Sequence, residues 1–314
     1  MKALPTPTRL AALYRSLSRL VSAGIPPAQA ALALEDGGPG GLPLAGALAA
    51  ALRKGSSFAH AARDAGVPEA HVAALEAAEI SGTLDTVLAQ LAASLEVEAA
   101  LRREAMSLFL RPGIILLACA FISPLPSLVT GGAASYIRAA LLPLILIAAG
   151  STLGGMIFDA LRSGRRSFVS ALPSIADLVM LAARSRACRM AGVLLGAGLP
   201  MPRSIRLAGA VGGDIVAPAF QRAARDVETG ARLSDALKRA HALEGVPASC
   251  AVEGEITGRL DRAFPEAALI MEEELASRLR WRVRIASGVA YLLAGGFVAF
   301  QVFKTFGQIG QLAE

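Results

Sequence analysis

Histidine, cysteine, aromatic residues and charge are all scarce in this 314-residue chain, and each shortage closes a class of function. The three cysteines, Cys119, Cys188 and Cys250, lie far apart and lack metal-ligand spacing, so reduced structural thiols are expected, without zinc or a disulfide framework. His60, His71 and His241 fall on alanine-rich helical stretches with no paired carboxylate or nucleophile motif. No Walker-type phosphate loop occurs, and no Gly-x-Gly-x-x-Gly follows a strand, so the chain is not expected to hydrolyse ATP. Catalytic, cofactor-binding and metal-binding residues are therefore expected to be none, and an enzyme finds no support. No segment alternates β-branched residues as a strand would. Nor is a signal peptide expected in the first stretch, because Arg9, Arg15 and Arg19 interrupt its apolar pattern.

What the chain does contain is apolar surface. Hydrophobic residues make up 54% and charged residues 18%, where a soluble domain carries nearer a quarter charged; mean hydropathy is +0.53. The net charge of +6 first suggests nucleic acid. The arginines instead cluster at the borders of uncharged runs, which points to a lipid bilayer and no nucleic-acid partner. The first run lies between Arg111 and Arg138, with its apolar part from Gly113 to Val129; Pro124, Pro126 and Gly131-Gly132 predict an end or kink near its far side. A second lies between Arg138 and Asp159, and a third from Ile285 to Phe303. Each approaches the roughly 20 residues that a helix needs to cross the hydrocarbon core.

Spans are expected at about 112–130, 139–159 and 285–306. They divide the chain into a first cytoplasmic unit at 1–110, a membrane hairpin at 111–160, a linker and second cytoplasmic unit at 161–284, and a short external tail at 307–314. Arg102, Arg103 and Arg111 precede the first span; Arg162, Arg165 and Arg166 follow the second; Arg278, Arg280, Arg282 and Arg284 precede the third. The positive-inside bias then places both large units in the cytoplasm, and the 130–138 hairpin and C-terminus outside. Trp281 and Tyr291 flank the entry of the third span.

The two large units are copies of one another. Glu79-Ile-Ser-Gly-Thr-Leu-Asp85 recurs as Glu255-Ile-Thr-Gly-Arg-Leu-Asp261, and Ser22-Ala-Gly-Ile-Pro26 as Gly196-Ala-Gly-Leu-Pro200. The offsets, 176 and 174 residues, are nearly constant, as a duplicated domain requires. Within each copy the pattern is helical. Leu10, Leu13, Leu17, Leu20 and Val21 form one apolar stripe. Gly24 and Gly198 then supply a left-handed cap, and Pro26 and Pro200 block continuation. Short helices are expected at about 27–35, 42–53, 56–65 and 69–80, with matching breaks at Gly212-Gly213, Gly230, Gly245 and Pro247 in the second copy. The fold class is thus an all-α integral membrane protein, with two homologous cytoplasmic bundles of about six helices each and three transmembrane helices.

The seven-residue word fits a corner between helices. Gly82 and Gly258 accept positive φ, Leu84 and Leu260 drop into the core, and Asp85 and Asp261 favour the positive end of the next helix. Glu79 and Glu255 have no obvious local role; either an arginine of the bundle pairs with them or a partner protein contacts them. Glu272-Glu273-Glu274 reads as a solvated face, because successive carboxylates point in different directions.

These residues resemble the F-type inner-membrane platform proteins of type II secretion and type IV pilus assembly. Arg15 with Ala23-Gly24-Ile25-Pro26 and Glu79 to Leu84, then Arg189 with Ala197-Gly198-Leu199-Pro200 and Glu255 to Leu260, carry the likeness over residues 9–306. The resemblance implies a non-enzymatic protein of the bacterial inner membrane that needs no cofactor. It would engage a cytosolic hexameric assembly ATPase, pilin or pseudopilin, and other inner-membrane platform proteins, and would act as a homo-oligomer. Family members commonly carry a further cytosolic segment before the first repeat, where this sequence has only Met1 to Thr8; docking that depends on it is expected to be absent or differently made. Tyr14 and Cys188 stand where phenylalanine is frequent.

The rival from another class is a small oligomeric permease. Transporters place ionisable groups within the bilayer, and the three runs hold none. Gly150, Gly154, Gly155, Gly295 and Gly296 read instead as helix-packing surfaces.

Overall fold

A computed structural model describes residues 7–37, 43–122 and 173–312, together with single positions between 125 and 152. Among the described residues every regular element is an α-helix. The first copy contributes α1 (Pro7–Ser22), α2 (Pro27–Gly37), α3 (Pro43–Arg53), α4 (Phe58–Asp64), α5 (Glu69–Ser81) and α6 (Leu84–Ile122). The second contributes α7 (Pro173–Gly196), α8 (Met201–Gly212), α9 (Ala217–Glu228), α10 (Leu233–Arg239), α11 (Val246–Thr257) and α12 (Leu260–Leu312).

The stops are chemical and repeat from copy to copy. Gly24 and Gly198 both sit at φ 85°. The following amides, of Ile25 and Leu199, turn back to the carbonyls of Leu20 and Leu194 at 3.0 and 3.1 Å. Those carbonyls would otherwise be orphaned at the helix end. Pro26 and Pro200 then lend their own carbonyls to the first turn of the next helix, accepting from Ala30 and Ser204 at 2.9 and 3.0 Å. One member of the series is not glycine. His241 holds φ 54° at the point where the first copy has Gly66, and its amide closes the end of α10 on Lys238 as Gly66 closes α4 on Arg63. The helix expected around His241 therefore gives way to a strained turn.

Two compact units emerge. One joins residues 1–101 with 161–275; the other joins 102–160 with 276–314. Both copies lie in the first unit and share one apolar core, in which Leu13, Tyr14 and Leu17 of α1 and Leu88 and Leu91 of α6 connect with Leu194, Ile205, Phe220 and Phe264. The seam between the copies is α5 against α7 and α8, with Arg203 reaching Glu76 across it at 3.8 Å. Sequence duplication by itself suggests two separate bundles; burying the alanine-rich face of α5 welds them.

Among the described residues α12 contains one segment, Leu260–Phe300, long and apolar enough to cross a membrane; it begins in the first unit, and its uncharged part from Ile285 belongs to the second. Most of its described large apolar side chains from Ile285 onward, including Val289, Leu292, Phe300 and Phe303, are exposed, while Phe297 and Val298 are half-buried. The expected first span begins within α6, where Ile114, Leu117, Phe121 and Ile122 are also exposed; residues 123–130 lie outside the described ones, apart from Leu125. The expected span at 139–159 lies outside them too, save for isolated positions. One apolar span, rather than three, is thus seen among the described residues.

Candidate functional site

The two seven-residue words form matching corners. Gly82 ends α5 at φ 72°, ψ 17°, and Gly258 ends α11 at φ 69°, ψ 19°. The Gly82 amide and the next one, of Thr83, both donate to the Ala78 carbonyl. Gly258 and Arg259 do the same to Gly254. After the turn, Leu84 and Leu260 are buried in the shared core. Asp85 and Asp261 fall in the first turns of α6 and α12, where a carboxylate meets the positive end of the helix dipole.

Glu79 and Glu255 find a partner that the sequence did not indicate. Glu79 accepts from the backbone amides of Phe58, at 2.9 Å, and Ala59, at 3.3 Å. Glu255 accepts from Leu233 at 2.7 Å and Ser234 at 3.0 Å. These four amides open the short helices α4 and α10, so each glutamate is a remote N-cap that staples a seven-residue helix to the corner. The expected arginine partner gives way to backbone amides. Burial raises the Glu255 pKa, but the hydrogen bonds from Ser234 and Leu233, with the nearby charge of Arg232, outweigh it and hold the carboxyl below its ordinary value. The helices differ in what else caps them. Ser57 also accepts from His60 at the start of α4, whereas Arg232 offers α10 no side-chain cap.

A second repeated device ties the first helix of each copy to the last. Arg15 grips Glu96 through Nε at 3.0 Å and Nη2 at 2.6 Å, and its hydrogen bonds hold the Glu96 carboxyl below its ordinary value. Arg189 grips Glu272 in the same two-pronged way, with Nε to Oε1 at 3.0 Å. Glu272 is therefore no solvated carboxylate; its side chain is 9% exposed, against 48% for Glu96. The Arg–Glu spacing of 81 residues in one copy and 83 in the other hid the pair from local inspection.

The scarce polar residues are structural. Tyr14 and His71 are buried against each other, the phenol oxygen 3.3 Å from Nδ1, and burial pushes the His71 pKa down to about 4. Burial also pushes the Cys188 thiol up, and the Cys250 thiol is raised by burial with help from Glu266 and Glu253, so neither is activated as a thiolate. Cys119 lies where side chains are not described.

What the corners present outward is apolar. Ile80 is 84% exposed and its counterpart Ile256 is 79% exposed. Beside Ile256, Val252, Thr257, Ser249, Lys238 and Glu253 line an open groove of roughly 370 Å³.

Residues 13–130 and 187–303 each match the family model of type II secretion system protein F. The chain belongs to that family. The match falls twice, once on each copy, so the duplication, the corners and the helix-stop motifs are the family's repeated domain. Protein F members are structural platform proteins of secretion and pilus machinery in the inner membrane, not enzymes. The apolar stretch of α12 is consistent with that location. No curated protein matches the chain.

Proposed function

We propose that this protein F couples a cytosolic hexameric assembly ATPase to the polymerisation of pilin or pseudopilin, as the platform of a type II secretion or type IV pilus machine. The observation that carries the reading is the pair Ile80 and Ile256. One exposed isoleucine needs no explanation. The same residue exposed at the same point of both copies does, because neighbouring exposed positions have diverged to Thr83 and Arg259, and to Thr86 and Arg262. A pair of repeated apolar points beside rigid αL corners suits engagement of a partner protein.

The long last helix supports the coupling. α12 runs 53 residues from the corner residue Leu260 into its exposed apolar stretch, so a displacement at the corner has a continuous helical path to the membrane. In this reading both repeats are cytoplasmic, spans lie at about 112–130, 139–159 and 285–306, and the 130–138 hairpin and C-terminus are outside. The protein acts as a homo-oligomer alongside other platform proteins, and its spans meet the pilin helices.

Photo-crosslinkers at positions 80 and 256 in native membranes, with products identified by mass spectrometry, test this directly. Recovery of an assembly ATPase from either position is the expected result. Self-crosslinks alone would leave the corners as internal joints and favour the small oligomeric permease.

A further inference from the structure

The face that joins the two copies recurs, uncovered, on the far side of the second. Ala70, Ala73 and Ala74 share one side of α5, the helix that meets α7 and α8, and all three are buried. Beside them Gln90 of α6 reaches α7: a Cβ added at Gly196 would lie 3.7 Å from its Oε1. The 176-residue offset gives Val246, Ser249, Cys250 and Glu266 as the counterparts in the second copy. There Val246 is 60% exposed, Ser249 and Glu266 are exposed, and Cys250 is half-buried. The other side of the seam behaves alike. Val193 and Ala197, within a turn of Gly196, are buried, whereas their first-copy counterparts Arg19 and Ala23 are exposed. The paired copies thus leave two open faces, each the equivalent of a face buried between them.

We propose that the open face of the second copy docks onto the open face of the first copy in another molecule of this chain, repeating the seam between chains. The inference deepens the homo-oligomeric platform reading and rests on it. Charge complementarity supports it. Glu266 stands where the seam has Gln90, Glu253 where it has Ala77, and Arg19 where it has Val193, so at these positions charge appears only on the open faces, with opposite sign. Neither carboxylate forms an ion pair among the described residues, although Lys238 lines the groove beside Glu253 and Arg262 stands one turn before Glu266. Arg19 is exposed; Glu96 is held chiefly by Arg15, with Arg19 a weaker influence through space. Repeating the relation between the copies brings Glu266 to Ser22 of the next chain, the counterpart of Gly196, with Arg19 one turn away. It likewise sets Val252 against Gln29, where Glu76 meets Arg203 within the chain. Ile80 stays 84% exposed beside the seam, so Ile256 stays open beside the new contact. Different surfaces meet, so the contact is heterologous and propagates into a ring or a row rather than closing as a two-fold dimer. Both long helices enter the bilayer from the cytoplasm in this reading, so the repeated relation keeps the next chain in the same membrane.

Two differently tagged full-length chains are co-expressed, one with Gln29→Cys and the other with Val252→Cys, both carrying Cys250→Ala to remove the native thiol of this face. Membranes are treated with a short bis-maleimide. The expected product joins the two tags and requires both introduced cysteines. Arg19→Glu on the first chain should lower its yield about fivefold, the worth of an exposed ion pair, and Glu266→Arg on the second should do the same. The two reversals together should restore it, which a general loss of folding could not do. Native mass spectrometry of the protein in lipid nanodiscs reports the oligomeric state in parallel. Oligomers without the 29–252 product would overturn this interface and leave the homo-oligomeric platform standing. A product that ignores both reversals, or that the double reversal fails to rescue, would overturn the charge-matched docking. Monomers alone would overturn both readings.

Discussion

Replacing Glu255 by alanine removes the side chain that caps α10. Two charge-assisted hydrogen bonds are lost, from Leu233 at 2.7 Å and Ser234 at 3.0 Å. A hydrogen bond to a charged group is worth about 1.5–3 kcal/mol when its partner is left unsatisfied. The carboxylate is only half-buried, so water replaces part of that loss, and the expected cost is about 2 kcal/mol, at the upper end of measured N-cap deletions. For a unit of roughly 200 residues each kcal/mol lowers Tm by about 2–4 °C, so detergent-solubilised Glu255→Ala should melt about 4–8 °C below the wild type. Glu79→Ala should cost less, because Ser57 still caps α4. Since Glu255 is held below its ordinary pKa, its contribution is present above the unfolded value near pH 4.3 and is lost as pH falls through the folded value. The difference between wild type and Glu255→Ala should therefore shrink in acid. A variant within about 0.5 kcal/mol of wild type at pH 7 would refute the capping role; loss of partner crosslinks in that same stable variant would assign Glu255 to the interface instead.

Four further outcomes rest on the ion pairs, the buried histidine and the turns. Glu272→Ala should cost about 2 kcal/mol or more and Glu96→Ala less than about 1, because the Arg189–Glu272 pair is 19% and 9% exposed while the Arg15–Glu96 pair is 34% and 48% exposed; equal costs in chemical denaturation would contradict the burial difference. His71 protonates near pH 6.5 in the unfolded chain and about 4 in the folded one, so the unfolded state binds more protons between those values and stability falls as pH drops through that window. The loss reaches about 3 kcal/mol, and His71→Phe should flatten the pH dependence of unfolding there; an unaltered slope would disprove it. At the turns, His241→Gly should stabilise by about 0.5–1 kcal/mol by relieving a positive φ, whereas Gly82→Val or Gly258→Val should destabilise the corner and abolish assembly; normal secretion or piliation by both valine variants would show that the left-handed turn is dispensable.

The corner illustrates what can be read locally. Gly82, Leu84 and Asp85 each play a part set within one or two turns of helix, and the word containing them names that part. Glu79 does not, because its amide partners on α4 lie 20 and 21 residues upstream. Glu272 was misread for the same reason: nothing within one turn reveals Arg189, 83 residues away. His241 carried a readable signal, since aligning the copies sets it opposite Gly66, a residue type that commonly marks positive φ.

The sequence by itself determined the helices, their stops, the duplication and the apolar runs, since all four depend on side-chain periodicity and backbone preference over a few residues. Tertiary structure alone decided that the two copies share one core, that the corner glutamates cap α4 and α10, and that Glu272 is buried beneath Arg189. It also decided that Ile80 and Ile256, ordinary apolar letters in a helix, face outward. Those outcomes depend on which distant surfaces meet, and no local preference of the chain specifies that.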